Sequence, residues 1–380
     1  MKITKLETIT CQAGGRNWVF VKVTTDEGIY GLGEGSLYGK EKAMEAAIWE
    51  LEREIIGEDP FRIEHLFQKM YRQAFWRGGP VLTSAISGVE IALWDIKGKA
   101  LGVPVYELLG GYVRDEIRYY CNLGDGTPES LTARAKKWMA AGVDAFKIYP
   151  FPSVQLVDNM RPIREAEEKI AAVRELGGSN IDIMIDFHGR LSPSMAILAE
   201  EVMRAYEPMF IEEPVLPEDV EGLEKLARFA KTPIATGERL YTRWGIKQHI
   251  EKELISVAQP DLCHCGGIFE GRKIAAMAEA HFIAAAPHNP YGPVAAAACA
   301  QLDFALPNFL IQEHIFEDVE WRDDVYTPPL KLENGRLKRP TAPGLGIELV
   351  MDEIERHPYE AREQVKWLSL IHISEPTRPY

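Results

Sequence analysis

Three carboxylates recur at equal spacing in this chain. Asp186, Glu212 and Glu238 stand 26 residues apart, each at the end of a short apolar run: IDIMID, MFIEE and PIATGE. Carboxylates that converge in a water-poor pocket repel one another unless a cation joins them. Hard oxygen donors in that number suit Mg²⁺ in near-octahedral geometry, with positions left for water and substrate. Two histidines end apolar runs as well, His188 in DFHG and His288 in APHNPYGP. Asp261, in QPDLC one run before His288, can accept a hydrogen bond from its ring and keep it basic. Asn122, Lys147 and Glu313 end the remaining runs. Lys147 can pair with a substrate carboxylate or with the metal carboxylates, and a protonated Glu313 can hydrogen-bond a developing enediolate. A divalent ion beside a base is what removing a proton next to a carboxylate requires, because the resulting dianion needs positive charge on both oxygens.

The elements that must position these residues follow from their spacing. From Asn122 through Lys147, Asp186, Glu212, Glu238, Asp261 and His288 to Glu313 the gaps are 25, 39, 26, 26, 23, 27 and 25. That is the length of one strand, loop, helix and loop. Amphipathic stretches fill the gaps, so the pattern predicts eight parallel strands joined by crossover helices. The long gap holds PFPSVQLVDNMRP, a loop insertion. Eight units of even length favour a closed (β/α) barrel over an open sheet, and in a barrel all strand ends ring the face that carries catalysis. Asp186 and His188, two apart at a strand end, are predicted to point to one side. Strands three and seven lie across such a barrel, which would set His188 and His288 on opposite faces of one substrate.

Ahead of this ladder, residues 1 to about 38 read as strands, with a hairpin at TTDEGIYG, and 40 to about 109 as helices. SAISGVEIALWDIKGKALG is helical and closes on Gly102, before Pro104. The domain reading is 1–112 for an N-terminal α+β domain, 113–320 for the barrel with the active site, and 321–367 for a C-terminal segment. The last stretch, LSLIHISEPTRPY (368–380), resembles the translation of a sequencing-adaptor read-through, so it is set aside as a non-native tail, His372 with it, and the authentic C-terminus is expected to be missing.

With 46% hydrophobic and 26% charged residues the composition is that of a globular protein. A net charge of −14 argues against nucleic-acid or acidic-membrane partners. Five cysteines without framework spacing, a start without a signal-peptide core and the lack of a bilayer-length apolar run predict a reduced, cytoplasmic protein.

Weaker signals read as structural. GLGEG (31–35) lacks the spacing of a nucleotide loop. Cys263, His264 and Cys265 on a predicted strand lack a partner pair for a thiolate metal site. His249, His281 and His314 read as helical or supporting residues, and Trp76 and Trp94, at helical positions, as core.

ALWDIKGKALGVPVYELLGG, DFHGR, FIEEP, GERL, QPDLCHCGGI with GRKIAAMAEA, and APHNPYGPVAAAA fall in one order up to about Val365. In that order the sequence resembles the enolase superfamily, mandelate racemase subgroup, and within it the sugar-acid dehydratases of the galactonate dehydratase type. The resemblance implies a modified (β/α)8 barrel of the (β/α)7β kind with an N-terminal capping domain, to which YTPPLKLENGRLKRPTAPGLGIEL would return. It implies Mg²⁺ ligands at Asp186, Glu212 and Glu238, a general base at His288 oriented by Asp261, an acid at His188 and enediolate support from Glu313. The product would be a 2-keto-3-deoxy sugar acid. Loops at CQAGGRNW and GSLYGKE would choose the substrate, with Trp18 and Tyr38 as contacts beside Lys147 and Asn122, and the family implies a homo-oligomer.

Racemases of the subgroup carry Lys-x-Lys on the second barrel strand. Lys147-Ile148-Tyr149 stands here, which favours dehydration over two-base racemisation. An epimerase or cycloisomerase of the same superfamily remains open, as do a metal-free lyase forming a Schiff base on Lys147 and a binding barrel without turnover.

Overall fold

The computed structural model describes residues 1–361 apart from 153 and 317. Residues 368–380, read above as a foreign tail, lie outside the described residues, as do 362–367. In chain order the main elements are β1 (Ile3–Ala13), β2 (Arg16–Thr25), β3 (Tyr30–Glu34), α1 (Glu41–Ile55), α2 (Ile63–Arg72), α3 (Gly79–Leu101), α4 (Val105–Leu108) and β4 (Glu116–Gly124). Helices and strands then alternate: α5 (Pro128–Ala140), β5 (Ala145–Ile148), α6 (Arg161–Gly177), β6 (Asp182–Asp186), α7 (Pro193–Met203), β7 (Phe210–Glu212), α8 (Val220–Ala227), β8 (Ile234–Thr236), α9 (Thr242–Glu251), β9 (Val257–Ala258), α10 (Ile268–Ala280), β10 (Ala284–Ala285), α11 (Pro293–Ala305) and β11 (Gln312–His314). The chain divides into two compact units. Among the described residues, one comprises 1–119, 237–247 and 258–361; the other comprises 120–236 and 248–257.

The first unit opens with the antiparallel meander β1–β2–β3. Every residue of β2 from Asn17 to Val21 is buried, so both faces of the strand are covered there. Helix α3 is apolar nearly all round and buried from Thr83 to Ile96, the pattern of a core helix. It ends on Gly102 in the left-handed conformation (φ +70°), a common helix stop. The glycines of GLGEG explain how strand and helix meet. A Cβ at Gly33 would stand 1.8 Å from the Gly88 carbonyl oxygen, and one at Gly31 would stand 2.0 Å from that of Ala92. The run is a packing surface for backbone on backbone. Gly33→Ala is expected to cost about 3 kcal/mol of stability; an unchanged thermal midpoint would refute this contact.

Trp94 is buried, but Trp76 is 80% exposed, contrary to its reading as core. It lies between α2 and α3, where the helical pattern breaks before the Gly78–Gly79 pair, and its ring meets Phe75 edge-on.

In the second unit, Tyr120–Gly124 and β5, β6, β7 and β8 form a parallel run in sequence order. Register sets Asn122 against Lys147 and Asp186 against Glu212. The Ser256 amide, before β9, donates to Ile234. Within the 39-residue gap between Lys147 and Asp186, the described residues from 149 to 160 form neither helix nor strand, as the insertion predicted.

The parallel pattern continues within the first unit. The Ala286 amide donates to Ala258, and parallel bridges join Asp261 to His288 and Ala285 to Phe309. Cys263 and Cys265 belong to a turn after Asp261, contrary to the predicted strand, since the His264 and Cys265 amides both bond the Asp261 carbonyl. The C-terminal segment returns to α3: the Leu345 amide donates to Asp95, Lys99 pairs with Glu348, the Val105 amide donates to the Gly344 carbonyl, and the Gly344 amide donates to the Val103 carbonyl. Short strands complete this part, with β12 (Tyr326–Thr327) on β15 (Glu348–Leu349) and β13 (Leu332–Glu333) on β14 (Arg336–Lys338). β14 in turn pairs antiparallel with Glu116–Arg118. All five cysteines are free and buried. Among the described residues no helix is long and apolar enough to cross a membrane.

Candidate active site

In the second unit, four of the expected residues meet at the C-terminal ends of β5, β6 and β7. Lys147 is fully buried, its ammonium 3.0 Å from both oxygens of Glu212 and 3.7 Å from Asp186 Oδ2. Two buried carboxylates on adjacent strands thus share one cation, as their mutual repulsion requires. The rings of Tyr120 and Tyr149 lie within 6 Å of the ammonium, at 5.6 and 5.8 Å. Asn122 is half-buried on β4, and its side-chain oxygen accepts from the Gly124 amide.

Asp186 and His188 come together, but not through strand alternation. The strand ends at Asp186, and His188 turns into the left-handed region at φ +51°. Its own amide donates to Asp186 Oδ1 at 2.8 Å, while its Nε2 lies 3.0 Å from Asp186 Oδ2. A tight side-chain turn replaces the pleat, with the Gly189 amide tied to the Glu213 carbonyl at 2.8 Å. A non-glycine residue held there costs on the order of 1 kcal/mol and persists only where its surroundings enforce it. The His188 ring packs on Tyr149, with centroids 4.3 Å apart.

In the first unit, His288 is the centre. Its Nδ1 donates to Asp261 Oδ2 at 2.7 Å, and its Nε2 lies 2.9 Å from Glu238 Oε2 and 3.6 Å from Glu313 Oε2. The other Asp261 oxygen accepts from the Cys263 amide, so the carboxylate is fixed from both sides. Burial works to lower the His288 pKa, but the charges of Glu238 and Glu313 and the bond to Asp261 outweigh it and hold the imidazole well above its ordinary value. Glu313, fully buried, accepts from the Asn289 amide at 3.1 Å. An imidazole locked on one nitrogen by a carboxylate, with the other turned to acids, is equipped to take up a proton.

Of the two proposed substrate contacts of the N-terminal domain, Tyr38 lies in a connecting turn as predicted and Trp18 does not lie in a loop. Trp18 is on strand β2, not in a loop, and is fully buried with the Arg322 guanidinium 5.3 Å over its ring. Tyr38 sits half-buried in a turn between β3 and α1. The Cys263 and Cys265 thiols are pushed well above their ordinary pKa by burial, which keeps them protonated. Sequence reasoning passed over Tyr291 and the hydrogen bonds of His264. The available signal was Tyr291's place three residues after His288.

Residues 5–110 match the mandelate racemase / muconate lactonizing enzyme N-terminal domain, and residues 130–353 match the enolase C-terminal domain-like family. The chain belongs to the mandelate racemase / muconate lactonizing enzyme family. Its relatives within the family include the D-galactonate dehydratase of Ralstonia pickettii, 45% identical over 92% of each chain, and that of Variovorax paradoxus, 43% identical over 97% of this chain and 96% of the other. Among solved structures, a member of the enolase superfamily from Salmonella Typhimurium superposes with a TM-score of 0.89 at 32% identity, covering 94% of this chain and 98% of that one. A mandelate racemase/muconate lactonizing enzyme-like protein from Roseovarius gives 0.90 at 34%, covering 95% and 96%. The fold is therefore the enolase-superfamily α/β fold, an N-terminal α+β domain followed by a domain of the (β/α) barrel class. Members of this superfamily bind a divalent metal ion.

Proposed function

We propose that this chain is a Mg²⁺-dependent sugar-acid dehydratase acting on an aldonate of the galactonate kind. The observation that carries the reading is the Asp261–His288 pair: a histidine fixed at Nδ1, with Nε2 directed toward carboxylates at strand ends. The names of relatives at 43–45% identity over most of the chain support the substrate class. Asp186, Glu212 and Glu238 would hold Mg²⁺. The donor set fits, since all are hard oxygens and Asp186 and Glu212 already seat the Lys147 ammonium. When bound, the ion supplies positive charge to the substrate carboxylate as C2 loses its proton.

His288 Nε2 takes the C2 proton, and Asp261 stabilises the imidazolium that forms. Glu313 hydrogen-bonds the substrate oxygens as charge builds on them. His188, held against Asp186, gives a proton to the departing C3 hydroxyl. Lys147 and Asn122 would bind the substrate, and Tyr38 would bear on substrate choice, whereas Trp18, being buried, could act there only by supporting the loop beside it. Tautomerisation yields the 2-keto-3-deoxy acid. The ion pairing of Lys147 with Glu212 weighs against a Schiff-base lyase, which needs a neutral amine. Tyr149, in place of a second lysine, weighs against two-base epimerisation. We take the enzyme to be a cytoplasmic homo-oligomer that binds neither nucleic acid nor membrane; its buried free thiols fit a reducing compartment.

The test is a screen of four- to six-carbon aldonic and aldaric acids with Mg²⁺ and again with EDTA, detecting the keto product as its semicarbazone. Turnover that EDTA abolishes and Mg²⁺ restores is expected for one acid. Turnover in EDTA, trapped by borohydride, would point to the lyase. C2 deuterium exchange without a keto product would point to epimerisation.

A further inference from the structure

The turn that carries His288 is braced residue by residue. Asp261 holds the His288 ring, Glu313 accepts from the Asn289 amide, and Arg16 donates to the Pro290 carbonyl at 2.5 Å. Arg322 donates to the Tyr291 carbonyl at 2.5 Å, and Glu34 accepts from the Gly292 amide at 2.8 Å. These contacts reach backbone or the base itself. One brace reaches neither. Tyr291, buried, sets its hydroxyl 2.7 Å from His264 Nε2.

The heavy-atom geometry assigns a direction to each proton in that brace. Ser84 has one hydroxyl proton, and it goes to the Pro80 carbonyl at 2.5 Å. Its oxygen, 2.7 Å from His264 Nδ1, is therefore an acceptor, so Nδ1 carries the hydrogen. A neutral imidazole protonated at Nδ1 accepts at Nε2, and Tyr291 must donate there. Burial lowers the His264 pKa against the pull of Asp261, in keeping with a neutral ring. The line runs from Pro80 and Ser84 at the start of α3, through His264 in the turn after Asp261, to Tyr291 three residues past His288. Its far end is the Tyr291 ring, edge-on to the His288 imidazole with centroids 6.2 Å apart. His264 Nε2 is also 4.0 Å from Asp261 Oδ2.

We infer that Ser84, His264 and Tyr291 form a hydrogen-bonded strut that sets the orientation of the Asp261–His288 pair, with His264 and Tyr291 as positioning residues for the base. The strut ties both members of the pair to α3. Asp261 fixes where the His288 nitrogen points in the ring plane; the tyrosine edge fixes the tilt of that plane. This inference rests on the reading of His288 as the base.

Two measurements test it. The first needs no turnover: ¹⁵N spectra of histidine-labelled full-length protein should show a neutral His264, assigned through His264→Gln, with the proton on Nδ1 and an accepting Nε2. A proton on Nε2, or an imidazolium at neutral pH, overturns the strut whatever the reaction proves to be. The second uses the acid found by the Mg²⁺ screen. Tyr291→Phe removes only the hydroxyl and should lower kcat about tenfold with KM and the thermal midpoint nearly unchanged. His264→Gln keeps an acceptor for the tyrosine and should retain several-fold more activity than His264→Leu. Wild-type kcat in Tyr291→Phe, or equal rates in the two His264 variants, overturns the positioning role. If no acid is turned over by the wild type, the proposed reaction has failed, while the spectra still decide the strut.

Discussion

His288→Asn should lose both C2 proton exchange and dehydration, by about 10³-fold or more, while His188→Asn should lose dehydration and keep exchange. General acid and base groups each contribute roughly 10²–10⁴-fold, and the two histidines are assigned to different bonds. His288 is the one with Asp261 behind it and carboxylates before it, the arrangement of a base. His188 has Asp186 against the nitrogen that would deliver a proton. Asparagine keeps polarity and near-size without titrating, so the loss would be chemical rather than a packing defect. The measurement is ¹H NMR of the substrate in deuterated water, which follows washing-out of the C2 signal and formation of product in one sample. Exchange persisting in His288→Asn would move the base elsewhere, and dehydration persisting in His188→Asn would end its role as the acid.

A second large effect concerns stability in acid. His314 is buried beside Glu313, with the rings of Tyr119 and Phe316 edge-on at 5.5 and 4.9 Å. Burial first, and then the Arg322 charge, push its pKa down to about 3. The folded state therefore keeps the ring neutral where the unfolded chain, with an ordinary value near 6.5, takes up a proton. Stability is fully present above pH 6.5 and drains away as pH falls toward 3, because there the unfolded state binds more protons. At about 1.4 kcal/mol per pH unit, the share lost between pH 6.5 and 5 is about 2 kcal/mol. His314→Gln should remove that dependence. Thermal midpoints at pH 7 and pH 5 check it: the wild type should fall several degrees further than the variant, and parallel falls would refute the assignment.

What the sequence revealed divides along a physical line. The strand-end ladder, from Asn122 to Glu313, could be read because each residue is a polar break in an apolar run at the period of one strand-helix unit. The pairing of Asp261 with His288 follows from that ladder, since adjacent strands bring them to one level, and Lys147 reaches Glu212 from the next strand but one, across β6. Three features were not legible. The left-handed turn at His188 depends on where the Gly189 amide finds its acceptor, which is tertiary information. Trp18 looked like a loop residue because its strand starts only two residues earlier, at Arg16, after the Gly14–Gly15 turn. The Ser84–His264–Tyr291 line joins residues 180 and 27 positions apart, beyond the reach of any local pattern. Trp76 shows the reverse error: its helical spacing is real in the sequence, but the chain breaks before the spacing can bury it.

The capping of α11 by Glu34 has a consequence for how the molecule is made. The partner amide of Gly292 is 258 residues further along the chain. Glu34 ends buried, with burial raising its pKa and the Ser36 hydroxyl and the Ala295 and Gly292 amides opposing the rise. At a ribosomal rate of about 5–20 residues per second, Glu34 waits roughly 10–50 s for the amides that will satisfy it. A carboxylate without those partners resists being enclosed, so the N-terminal sheet should stay open and solvated over that interval. Burial of this end of β3 is thus set to follow translation of the start of α11.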